Sequence, residues 1–230
     1  MTDPKTVDES ILPDDLKPIA KKLKKTDEEK ALLQPYFDMS LSVGAKTYLK
    51  NMAKENVYKY YKAVDTKYME KGLMLENEAI EFINSIRFER YVKNTERKTS
   101  EFLTGECDIY VPRVKTIDTK VAWSIDTFPC LSEDAHEQLY EWQGRAYMKL
   151  WDVAEHEVVY VLLDTPEELI RYEQRDLHEV SHIPPELRLT SITYQRDMAL
   201  EAKLDLKCKV AHDYVVKIMD QIKAEHSELN

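Results

Sequence analysis

The sequence predicts a mixed α/β (α+β) fold, with strands flanked by helices and a long helix at the C-terminus. Three observations predict it. Residues 88 to 121 alternate apolar and polar side chains with the period of strands. Val158-Val159-Tyr160-Val161-Leu162-Leu163 is a β-branched apolar run of strand length. Around both, apolar residues recur at helical spacing, most continuously from Ala199 to His226. A chain of 230 residues can bury a core without staples. The expected organisation is a tail or short helix over 1–35 and a single domain over 36–230.

Composition excludes several classes. The hydrophobic share of 43% and charged share of 33% are those of a soluble protein. Four glycines leave no phosphate-cradling loop of the Walker A type and no dinucleotide fingerprint. No apolar run reaches the length of a membrane span, so no membrane partner is expected. Met1-Thr2-Asp3-Pro4-Lys5 lacks the apolar core of a signal peptide. Cys107, Cys130 and Cys208 have no paired spacing, which excludes a zinc or iron–sulfur pattern and fits a reducing cytoplasm. The net charge of −10 runs against nucleic-acid binding unless the charge is unevenly spread.

In chain order, Thr26-Asp27-Glu28-Glu29 is a capping signature for a short helix through Leu33. Ser42 is a natural N-cap for a helix carrying Val43, Leu49, Met52 and Val57. From Lys46 to Lys71, seven lysines face three acids, and Lys46, Lys50 and Lys54 line one helix face among interleaved tyrosines. That is either a phosphate-tracking surface or a solvated face over core tyrosines. The next helix places Leu73, Glu76, Ile80 and Ile83 on one side, and a carboxylate within an apolar stripe calls for a metal ion or a lysine. A three-stranded antiparallel meander is expected over Phe88–Lys93, Ser100–Val111 and Val114–Val121. A helix from about Ser132 to Trp151 follows, with Gln143 and Tyr147 one turn apart. The run at 158–163 is a buried strand, and Asp164-Thr165-Pro166-Glu167 is a capped helix start. Leu187 to Met198 reads as a strand.

Period 2 puts Asp118 and Lys120 on one face of a strand, with Asp108 on its neighbour. Two carboxylates with open positions suit Mg²⁺, which takes oxygen ligands and keeps several waters. An acid-x-base triplet is common by chance, so the order of elements matters more. Gly72-x-x-x-Glu76 on a helix precedes Gly105-x-x-Asp108 on a strand, then Asp118-x-Lys120, then Gln143-x-x-x-Tyr147 on the next helix.

That ordered set resembles the PD-(D/E)XK nuclease superfamily, and within it the branch holding lambda exonuclease, YqaJ-type phage recombinases and RecB nuclease domains. The resemblance covers residues 40 to 165. It implies a restriction-endonuclease-like core, a central mixed β-sheet flanked by helices, and a Mg²⁺-dependent DNA exonuclease, with Mn²⁺ able to substitute. By the same resemblance, Glu76, Asp108, Asp118 and the Thr119 carbonyl hold the metal. Lys120 orients the attacking water, and Gln143 and Tyr147 steady the site. Ser42, Lys46, Lys50 and Ser124 are candidate phosphate contacts. The implied partners are double-stranded DNA ends cut 5′ to 3′, further copies of the chain as a homo-oligomer of trimer type, and a single-strand annealing protein. The implied setting is the cytoplasm of a bacterial or phage-infected cell. Two departures from the family pattern are Cys107 in the place of a proline and Asp118 where a glutamate is commoner. The alternatives are a nuclease-fold DNA-binding or assembly protein with a vestigial site, and an endonuclease or single-strand nuclease of the same superfamily.

Overall fold

The computed structural model describes residues 4–63 and 66–227. Residues 1–3 of the expected tail, Asp65 of the lysine-rich stretch, and residues 228–230 lie outside the described residues. In chain order the helices and strands are α1 (Lys17–Ala20), α2 (Asp27–Met39), α3 (Val43–Tyr58), α4 (Lys67–Arg87), β1 (Lys98–Thr99), β2 (Thr104–Gly105), β3 (Ile109–Val111), β4 (Lys115–Val121), α5 (Gln138–Trp151), β5 (Glu155–Val161), α6 (Glu167–Ile170), β6 (Leu189–Gln195) and α7 (Met198–Ser227). Two compact units emerge, one made of residues up to Ala63 with those from Ala202 onward, the other running from Val64 to Glu201. These boundaries differ from a division at residue 35.

The first unit is helical. Thr26 opens α2 with a reciprocal capping box to Glu29, as its sequence predicts. Val7, Leu12 and Leu33 bury a small cluster, so the described residues ahead of α2 pack against it. Ser42 caps α3 by accepting from the Ala45 N–H at 3.2 Å. Leu41 and Leu49 pack on Ala211 of α7. The tyrosines interleaved with the lysines of α3, Tyr48 and Tyr58, are exposed rather than core.

The second unit holds a four-stranded mixed sheet in the order β3-β4-β5-β6. Strands β3 and β4 are antiparallel, β4 and β5 parallel, and β5 and β6 antiparallel. A parallel pair needs a crossover, and α5 provides it. Alternation along β5 decides the layers. Val159 and Val161 face Ala79, Ile80 and Ile83 of α4, whereas Val158 faces Tyr147, Met148 and Trp151 of α5. The sheet is thus covered by one helix on each face.

Three sequence expectations change here. Phe88–Lys93 is not a strand: Phe88 takes a left-handed C-cap at φ 56° that ends α4, and Asn84 occupies both the N–H and the carbonyl of Tyr91. Only Lys93 bridges to Ile109. Ser100–Val111 is not continuous either, because Asn94 takes the carbonyls of Cys107 and Asp108 and leaves the short β1–β2 pair apart from β3. Finally, Asp164 does not cap α6 but accepts from Val180 N–H, Ser181 N–H and the Ser181 hydroxyl, tying down a distant loop.

Candidate active site

The antiparallel register pairs Ile109 with Ile117, and one further step sets Asp108 opposite Asp118. Asp108 Oδ2 accepts from both the Thr119 N–H, at 2.6 Å, and the Thr119 hydroxyl, at 2.7 Å. Two residues along β4, Lys120 emerges on the same face as Asp118 and ion-pairs with it. Asp118 is buried, and its Oδ2, though against the Lys120 ammonium, receives no properly directed hydrogen bond from any described residue. Glu76, Asp108, Thr119 and Lys120 line one cavity of about 620 Å³, walled by Trp123, Tyr140, Tyr160 and the Tyr68–Leu73 end of α4.

The charges are strongly coupled to burial. Burial first, then the Asp118 charge, pushes the Asp108 carboxyl up to about 6, against the two bonds from Thr119. Burial disfavours the Lys120 ammonium, but the Asp118 carboxylate outweighs it, with smaller help from Tyr140 and Asp108. The lysine pKa is therefore raised, and Lys120 is a cation at neutral pH. Burial, and then Asp118, push the Tyr147 phenol up to about 12, so it stays protonated.

Gln143 donates from Nε2 to the Tyr147 hydroxyl at 2.9 Å, joining the two halves of the helix motif. Neither lines the cavity. Tyr147 makes a T-shaped ring contact with Trp151 and lies close against β2 at Gly105. A Cβ at Gly105 would stand 2.7 Å from Tyr147 Cε1, which explains the glycine in Gly105-x-x-Asp108. Gly144 is needed for the same reason, since its Cβ would lie 2.1 Å from the His156 ring.

Glu76 sits at the cavity wall, and of the two partners its position called for it has the lysine: Lys93 Nζ donates to it at 2.6 Å. Ser124 is buried, its hydroxyl donating to Asp126 and its N–H to Thr127 Oγ1, so both groups are engaged locally. Ser42, Lys46 and Lys50 belong to the helical unit. There Ser42 is a cap, Lys46 pairs with Asp8 at 2.7 Å, and Lys50 is exposed.

Sequence reasoning missed several contributors. Leu73, expected in the buried stripe of α4, is exposed, and Lys71 is fully buried instead. Lys71 Nζ reaches the carbonyls of Ala122 (2.7 Å), Trp123 (3.0 Å) and Leu163 (2.9 Å) and the Thr165 hydroxyl (2.8 Å). It therefore ties together the chain ends leaving β4 and β5 and holds Trp123 in the cavity wall. The sequence signal was there: Lys71, Leu75, Ala79 and Ile83 repeat at helical spacing. Tyr140, three residues before Gln143, was likewise legible as a residue of the same helix face.

The donor set fits a hard divalent cation. Two carboxylates stand side by side against the one Lys120 ammonium, and burial beside Asp118 holds the Asp108 pKa up, so a second positive charge would be accommodated there. Among the described residues no group of three or more His, Cys, Asp or Glu side chains converges as a ligand cluster, so the remaining positions would fall to water and the Thr119 carbonyl.

No family model matches the chain, and no curated protein does. Solved structures do. A phage-related exonuclease from Haemophilus somnus 129PT is 33% identical, with a TM-score of 0.76 over 90% of this chain and 93% of that one. An alkaline exonuclease from Laribacter hongkongensis shares the fold at 12% identity, with a TM-score of 0.62 over 84% of this chain and 91% of its own. The same enzyme in complex with dAMP gives 0.61 at 14% identity, over 84% and 90% of the two chains.

Proposed function

Since this chain belongs to the phage-related exonucleases of the PD-(D/E)XK superfamily, the branch of lambda exonuclease and the YqaJ-type recombinases, we propose that it is a Mg²⁺-dependent DNA exonuclease acting at double-stranded ends. The observation that carries this is the Asp108–Asp118–Lys120 cluster on paired strands at the edge of a cavity wide enough for a nucleotide. The donor chemistry supports Mg²⁺, with Mn²⁺ as a substitute. Polarity from 5′ to 3′, a ring-like homo-oligomer, a single-strand annealing partner and a cytoplasmic setting belong to the same reading by analogy with the branch. Among the described residues no helix is long and apolar enough to cross a membrane.

In this mechanism Asp108 and Asp118 would hold the cation with the Thr119 carbonyl, leaving room for water and phosphate oxygens. A divalent cation held by these residues would supply an activated water and offset charge on the phosphate. Thr119 fixes the Asp108 carboxylate through two hydrogen bonds, so one oxygen is oriented before substrate arrives. Lys120, held as a cation, acts as a donor to the oxygens that gain charge in the transition state, and not as the base. Gln143 and Tyr147 keep α5 seated on β2 and β5, which positions the wall opposite Lys120. Trp123 and Tyr160 offer rings to a splayed base.

The test is digestion of end-labelled linear duplex, with a 5′-phosphate and without it, beside a closed circular control. Mg²⁺ should release label from the linear DNA alone, EDTA should stop it, and Asp118→Asn should abolish it. Undiminished digestion by Asp118→Asn would overturn the assignment. Cutting of the circle would favour an endonuclease of the same superfamily.

A further inference from the structure

We infer that Tyr140 is a positioning residue that holds the Lys120 ammonium at the site through the face of its ring. The inference rests on the nuclease reading of Lys120. Lys120 Nζ lies 4.4 Å from the Tyr140 ring centroid, well inside the range of a cation–π contact. The same ammonium also meets the Asp118 carboxylate. Its strand neighbour is Tyr160, paired with Lys120 in the parallel register. The Tyr160 ring lies 6.4 Å from that of Tyr140 at 58°.

A lysine stem has four rotatable carbons and a strongly hydrated head, so an ion pair with one carboxylate does not by itself fix where the ammonium points. Both Lys120 and Tyr140 line the cavity, where Lys120 would otherwise be free to swing outward to water. A second, aromatic contact beside the ion pair restricts that freedom without neutralising the charge. A carboxylate in Tyr140's place would compete with the phosphate, and an aliphatic chain would offer no attraction. Tyr140 reaches this position because α5 seats on β5 through Gly144.

Two measurements test it. In metal-free protein carrying ¹³C-labelled lysine, the ε-methylene of Lys120, assigned by its loss in Lys120→Met, should be shifted upfield by the ring current. The shift should persist in Tyr140→Phe and vanish in Tyr140→Leu. On linear duplex with Mg²⁺, Tyr140→Phe should keep kcat within about twofold, while Tyr140→Leu should lower it roughly 5- to 30-fold, the rate equivalent of one desolvated cation–π contact, with KM nearly unchanged. Tyr140→Met gives the same comparison if the leucine variant does not fold. The inference is overturned if the wild-type resonance is unshifted, if Leu and Phe lower kcat equally, or if Leu changes KM alone, as loss of a base-stacking platform would. Wild-type protein without nuclease activity would remove the exonuclease reading, and the ring-current shift would still decide whether Tyr140 holds Lys120.

Discussion

Replacing Lys120 with methionine keeps most of the stem and removes only the charged head. In the folded chain that head is the counter-charge to Asp118, whose side chain is 4% exposed, and it also favours ionisation of Asp108. Stripping one partner from a buried ion pair costs about 3–5 kcal/mol, because the other charge is left uncompensated. The Lys120 side chain is 24% exposed and the acids can take up a proton, so the lower end, about 3 kcal/mol, applies. At about 2–4 °C per kcal/mol for a chain of this length, Lys120→Met should melt roughly 6–12 °C below wild type in EDTA at neutral pH. Mg²⁺ should return much of that loss, and should raise the melting temperature of the variant more than that of wild type, because two carboxylates without their lysine bind a cation more tightly. Cleavage of linear duplex should be absent throughout. Thermal unfolding with and without the metal is the assay. A melting temperature in EDTA within about 2 °C of wild type would refute the reasoning, since the buried carboxylates would then not depend on the lysine.

Other substitutions probe the supports of the site. Gly105→Ala should lower stability by about 1–3 kcal/mol and reduce cleavage, since its Cβ would meet the Tyr147 ring at 2.7 Å; denaturant unfolding and the digestion assay read both. Lys71→Met strips a donor from the buried Ala122 and Leu163 carbonyls, while the Trp123 carbonyl keeps the Thr165 hydroxyl, and a loss of about 3 kcal/mol is expected, with Trp123 fluorescence reporting the loosened wall. Burial alone would raise the Glu157 pKa, but Arg87 and Lys115 outweigh it and bring the carboxyl from 4.5 to about 2. A lowered folded-state pKa means stability that is present above about pH 4.5 and lost as pH falls towards 2, about 3 kcal/mol in all. Glu157→Gln should therefore be less stable at pH 7 and show a shallower loss between pH 4.5 and 2 in acid unfolding curves; an unchanged acid slope would count against the pair.

Much of this was legible in the sequence. The caps at Thr26 and Ser42 announce themselves locally, because a side-chain oxygen needs only the next turn of backbone to bond. The apolar run at 158–163 and the period of α7 follow from the order of residues along the chain alone. The order of Glu76, Asp108, Asp118, Lys120, Gln143 and Tyr147 along the chain was enough to indicate the family. The failures have a common cause. Phe88–Lys93 alternates like a strand, yet Asn84 satisfies the Tyr91 backbone from the preceding helix and denies it a ladder. Asp164 has the composition of a cap, but a loop sixteen residues away takes its oxygens.

What the sequence by itself determined is the set of elements, their order, and the residue types able to hold a cation, since periodicity and capping depend on neighbours within a turn. Only the tertiary structure decided which of those groups lose their water. Burial raises the Asp108 pKa, leaves the Lys120 ammonium as the partner of a buried Asp118 oxygen, and sets Lys120 against the ring of Tyr140. It also placed Lys71 beneath Trp123 and gave Glu76 to Lys93. Desolvation is a property of the whole packed neighbourhood, and segments as far apart as residues 71 and 165 supply it.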